Sequence, residues 1–172
     1  MGLFASSPLS LAAALLLAGS VIGVAGAAVP TGQTIDAIRC ERAEGALFHI
    51  HQHVTILDRG KPVAIPSDVG RPLGVPCLYW LHTHDNDGIV HVESPKFRSF
   101  TLGNLFDVMG EPLSVTAVGA ARVRRGALRV FVDGHAYSGD PRKIELAQHT
   151  DITIETGPPY SKPVAFTDWK GQ

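Results

Sequence analysis

The sequence predicts an α+β domain: a small mixed β-sheet with hairpins, packed on one helix in a β-grasp-like arrangement. Three observations carry this. Short runs of alternating apolar and polar residues recur between Gly/Asp/Pro turn signals. Only one segment, 101–110, has helical spacing with end signals at both sides. That segment falls between two groups of strands, and a mixed sheet with one helix on it buries the apolar faces economically. An all-β sandwich or a partly open barrel is the alternative.

Leu47 to Leu57 alternates and is the first strand. Asp58-Arg59-Gly60-Lys61 is a turn, and Pro62 to Pro66 is the returning strand of a hairpin. Ser67 to Pro76, rich in Gly and Pro, is a loop; Leu78 to Leu81 is a short apolar run. Asp85-Asn86-Asp87-Gly88 is a turn, followed by a strand over Ile89 to Glu93 that Pro95 ends. Thr101 can cap a helix carrying Leu102, Leu105, Phe106 and Met109 on one face, with Gly110 as its stop. Leu113 to Val118, Leu128 to Val132, Ile144 to Leu146 and Ile152 to Glu155 are the remaining strand candidates. Asp133-Gly134 signals a second hairpin, faintly similar to the one around Gly60.

The chain of 172 residues divides into a signal peptide over 1–27, an entry segment over 28–45, one domain over 46–157 and an irregular tail over 158–172. Leu9 to Val29 holds no charge, and Ala25-Gly26-Ala27 offers a small-x-small cleavage pattern. Cleavage there leaves about 145 residues, enough for one core. An uncleaved membrane anchor is the alternative, since the run approaches the length of a span. Export to the periplasm, cell envelope or exterior is the expectation. A net charge of −1, with no long basic run, gives no footing for nucleic acid.

Two cysteines, Cys40 and Cys77, fit a disulfide in an oxidising compartment. Cys77 as a thiolate metal ligand beside His82 and His84 is the competing reading.

Six of the eight histidines lie between His49 and His91. Residues two apart in a strand share a face. His49, His51 and His53 therefore line one face, while Phe48, Ile50, Val54 and Ile56 line the core face. His91 and Glu93 repeat the pattern against Val90 and Val92, and His82-x-His84 is a third directed pair. Imidazole suits Zn, Cu, Fe and Ni, and a site needs three or four donors converging on one point. The predicted metal ligands are His49, His51, His82, His84, His91 and Glu93. Copper or zinc is preferred, with iron allowed. Only Met109 accompanies Met1, which argues against a Met-rich Cu(I) carrier. Asp85 and Asp87 are further candidates as ligands or as groups that orient an imidazole. His53 is a structural residue, His135 and His149 are surface residues, and Tyr79 and Trp80 belong to the core or a pocket wall.

The blocks at Cys40, His49-Ile50-His51-Gln52-His53, Cys77-Leu78-Tyr79-Trp80-Leu81-His82-Thr83-His84-Asp85 and His91-Val92-Glu93-Ser94-Pro95 resemble an uncharacterised family of small secreted bacterial His-rich proteins. Thr101-Leu102-Gly103 before Phe106, and Gly139-Asp140-Pro141-Arg142, resemble it too. The resemblance implies a bacterial exported protein with a shared His-rich site and brings no activity with it.

The expected function is transition-metal binding in the cell envelope, in metal handling or sensing. A small metalloenzyme is the second reading, with Glu93 as best candidate base and Asp85 next, doing redox chemistry with Cu or Fe or hydrolysis with Zn. A metal-free interaction domain, its histidines forming a hydrogen-bonded polar face, is the third.

Overall fold

The structure is a computed structural model that describes residues 1–2 and 31–172. The apolar run and cleavage pattern expected before residue 28 lie outside the described residues. Among the described residues no helix is long and apolar enough to cross a membrane.

The strands in chain order are β1 (Cys40–Glu41), β2 (Phe48–Asp58), β3 (Lys61–Val63), β4 (Leu78–Tyr79), β5 (Leu81–His82) and β6 (Ile89–Ser94). The helix α1 (Leu102–Met109) follows. Then come β7 (Leu113–Ser114), β8 (Ala117–Val118), β9 (Ala121–Arg122), β10 (Arg129–Val132), β11 (His135–Tyr137) and β12 (Asp151–Glu155). The main sheet runs β11-β10-β12-β2-β6-β5. Its central pair, β2 and β12, is parallel, and the other pairs are antiparallel. β6 borders the first half of β2 (Phe48–His53), while β3 borders its last three residues on a hairpin. Arg59 and Gly60 take φ of 50° and 74°, and Asp133 and Gly134 take 50° and 74°. Positive φ at both central residues is the two-residue turn that matches strand twist, so both turn signals close hairpins as read.

One face of this sheet is the core. Val54 and Ile56 of β2 pair with Ile152 and Ile154 of β12, and Val90 and Val92 of β6 continue the layer. α1 packs here through Leu102, Leu105, Phe106 and Val108, all buried. Thr101 caps the helix by accepting from the Asn104 backbone N–H, Asn104 returns a bond to the Thr101 backbone, and Gly110 ends it in the left-handed region. This reciprocal capping satisfies end groups that a two-turn helix could not spare.

Two expectations change. Leu113 to Val118 is broken by a turn into β7 and β8, which form a separate sheet with β9. Ile144 to Leu146 is not a strand. It follows a short 3-10 turn (Pro141–Lys143) and makes one bridge, Thr101 to Glu145, with Leu102 N–H donating to Ile144 O and Leu146 N–H to Phe100 O. Its alternation reflects Ile144 and Leu146 entering the core beside the helix start, not membership of the main sheet. The entry segment, whose structure the sequence leaves open, contributes β1, which pairs with β4.

The disulfide Cys40–Cys77 joins the entry segment to the start of β4. Cys77 therefore has no thiolate to offer a metal.

The tail beyond Gly157 is irregular in backbone but has specific partners on the sheet's second face. Ser161 N–H donates to Glu155, Phe166 N–H donates to Asp151, and the Phe166 ring stacks on His53 at 3.6 Å between centroids. Lys170 donates to Asp87, and Trp169 stacks on His149. The face opposite the core is thus covered over its β12 side.

Candidate metal centre

The second face carries the histidines, and strand register sets them side by side. His51 of β2 is directly opposite His91 of β6, and His91 is opposite His82 of β5. His49 is opposite Glu93. Cross-strand neighbours on one face stand about 4.5–5.5 Å apart at Cβ, so the row brings five of the six predicted ligands together before any rotamer is chosen. The sixth, His84, arrives two residues past β5 and closes its ring onto His91, with centroids 4.4 Å apart.

Two sets of donors converge. His82, His84, His91 and Glu93 can each offer one ligand atom with all of them within 4.8 Å of one another. His49, His51 and His91 form a second such set, and His91 belongs to both. Glu93 Oε1 lies 3.1 Å from His49 Nε2, 3.5 Å from His91 Nδ1 and 3.9 Å from His82 Nε2.

This face is not the solvated one that alternation alone suggests. His82 is 0 % exposed, His91 6 %, His51 7 % and Glu93 5 %, whereas His49 and His84 are exposed. The loop 67–76 accounts for part of the burial. Tyr79 N–H donates to Gly70 O and Thr83 N–H donates to Val69 O, laying the loop along β5. At Gly70, with φ of 80°, an added Cβ would run into Leu81 O and come 3.0 Å from His82 Cβ. A bare backbone is what lets the loop seat over His82.

Burial decides the protonation state. It pushes His82 down to about 4 and His91 down to about 3, with neighbouring histidines adding to the effect in both. His51 is lowered too, by burial and then by His49. These rings are neutral near pH 7, so their contacts with Glu93 are not ion pairs. His82 Nδ1–H donates to Tyr79 O at 3.1 Å, which leaves Nε2 with its lone pair free. That nitrogen is buried with no hydrogen-bond partner, and so are His51 Nδ1 and His91 Nδ1. A buried polar atom without a partner costs about 1–3 kcal/mol. Three in one cluster, each a metal-ligand atom type, are compatible with a metal ion as the missing partner.

Glu93 is raised by burial and then by the nearby Glu44 carboxylate. Glu44 was not among the residues read from the sequence. It sits in the entry segment, and Gly45 brings it in: a Cβ there would come 2.6 Å from Pro95 N and 2.7 Å from Ser94 Cα. Only glycine permits that approach to the end of β6. No periodicity signals it; the Cys40–Cys77 bond nearby is the one hint that this segment is pinned.

The remaining candidates fall outside the centre. His53 has acceptors at both ring nitrogens, Asp151 Oδ1 at 3.0 Å and Asp87 O at 3.1 Å, and serves as the seat for Phe166. Asp85 and Asp87 turn to Lys170, at 3.7 and 2.7 Å, and belong to neither converging set. His135 and His149 are exposed. Tyr79 and Trp80 are core residues. A mostly apolar hollow of about 860 Å³, bounded by Ile56, Val63, Phe106, Met109 and Val118, contains none of the histidines.

Compared with family models, curated proteins and solved structures, the chain matches none.

Proposed function

We propose that this protein binds a transition-metal ion at His82, His84, His91 and Glu93 and serves in metal handling or sensing outside the cytoplasm. The observation that carries the reading is the unpartnered, fully buried His82 Nε2 within a set of four converging donors. Three neutral imidazoles and one carboxylate suit Cu(II) or Zn(II), with Fe(II) next. The disulfide supports an oxidising compartment. It agrees with the exported, bacterial character that the resemblance implies.

A catalytic role is the second reading, favoured by one observation. His84 is exposed while the other three donors are buried, so the centre has a side open to solvent where a fifth position could take water or substrate. For the architecture we propose a β-grasp-like arrangement. It is supported by first and last long strands that are central and parallel, each with an antiparallel neighbour, and one helix between the two halves.

The test is elemental analysis of protein purified from its native compartment without chelators. At least one metal ion per chain is expected, and His82→Ala with His84→Ala should remove it. A metal-free native protein refutes the reading.

A further inference from the structure

We propose that the cluster takes two metal ions, the second held by His49, His51 and His91, with His91 shared between the two positions. This rests on the metal-binding reading above and extends it from one ion to a pair.

A four-coordinate ion needs four donors. The set His82, His84, His91 and Glu93 supplies them and leaves His49 and His51 over. These two are not idle surface groups. With His91 they form their own converging set within 4.8 Å. His51 is 7 % exposed and its Nδ1 is buried without a partner. His49 Nε2 and His51 Nε2 stand 2.9 Å apart at hydrogen-bond distance, one donating its N–H to the other, and a metal ion that takes up both lone pairs would displace that shared proton.

His91 is placed to serve both sides. Its ring is edge-on to His51 at 4.5 Å and 90°, and edge-on to His84 at 4.4 Å and 87°. One of these neighbours belongs to each set. An imidazole has two ring nitrogens on opposite edges and can ligate through both. The N–H proton then leaves to solvent, and two cations hold the resulting anionic ring.

Charge supports a pair as well. Two dications in a largely buried place need more anion than one carboxylate provides. Glu93 Oε1 reaches from His49 Nε2 (3.1 Å) to His82 Nε2 (3.9 Å), across both sets. Glu44, which faces Arg71 at 3.7 Å, adds a second carboxylate close by.

The test is a Cu(II) titration of the chelator-stripped full chain, read by calorimetry and by electron paramagnetic resonance. Two equivalents per chain are expected. The first should give a mononuclear signal, and the second should diminish it as the two spins couple through His91. His49→Ala and His84→Ala alter exposed side chains and so test each position without emptying the interior. Each should leave one tight equivalent with an undiminished mononuclear signal, the other weakened by at least about tenfold, the lower end of what loss of a mere supporting contact does. A native protein that saturates at one equivalent overturns the pair while leaving the single site standing. No tight equivalent at all overturns both. Two equivalents with full, uncoupled signal overturn the sharing of His91.

Discussion

Replacing His82 with leucine separates a metal centre from a merely polar sheet face. The side chain is wholly buried, one nitrogen donates to Tyr79 O and the other has no partner. In the metal-free protein, His82→Leu loses one hydrogen bond, worth about 0.5–1.5 kcal/mol, and removes an unsatisfied nitrogen that costs about 1–3 kcal/mol. The shapes are close enough that repacking adds less than about 1.5 kcal/mol. The terms are of opposite sign and similar size, so metal-free His82→Leu should unfold within about 2.5 kcal/mol of the native sequence, on either side. With metal at a hundredfold its dissociation constant, the native protein gains about 2.7 kcal/mol. A variant that binds tenfold more weakly gains about 1.4 kcal/mol less. Urea unfolding, run after chelation and again with added Zn(II), reads both differences. If the chelated variant loses more than about 3 kcal/mol, the imidazole is a structural member of a hydrogen-bonded network and the reasoning fails. An identical Zn(II) gain in both proteins would also sink it.

Other consequences follow from the same contacts. Cys40→Ser with Cys77→Ser opens a loop of 37 residues, and the chain-entropy relation puts the loss near 4 kcal/mol, seen as a lower urea midpoint. Thr101→Ala removes the acceptor for the Asn104 N–H and should cost about 1 kcal/mol by the same assay. Acid should destabilise the fold through Asp58 and Asp87. The Thr156 hydroxyl and then Arg59 hold Asp58 below its ordinary value; at Asp87 burial, which raises it, is outweighed by the bonds from Lys170 and Ile89. Both shifts are downward, so their stabilisation is present above pH 3.8 and is lost as pH falls through the lower folded values. Urea midpoints measured downward from about pH 6 should fall, and less steeply in Asp58→Asn.

The histidine cluster was legible because a period of two writes itself into sequence. His49, His51, His91 and Glu93 alternate with apolar neighbours, and antiparallel pairing of β2 with β6 then makes their faces coincide. What alternation could not reveal is that this face is itself covered. Loop 67–76 folds back onto it, the C-terminal tail reaches it from far along the chain, and their contacts, such as Phe166 on His53, have no local signature. Glu44 was hidden for a related reason, since its place depends on one backbone contact at Gly45 and a disulfide. Ile144 to Leu146 misled because alternating burial needs only an extended segment with one side on a core. A ladder of main-chain bonds is a separate requirement, and the 3-10 turn before this segment directs it to the helix start instead.

The most direct test of the central claim is anomalous diffraction from crystals of the Zn(II)-loaded protein. The account predicts a peak with His82, His84, His91 and Glu93 donors at about 2.0–2.2 Å. A peak at the exposed His135 or His149 with none at His82, or no ordered ion at all, would contradict it.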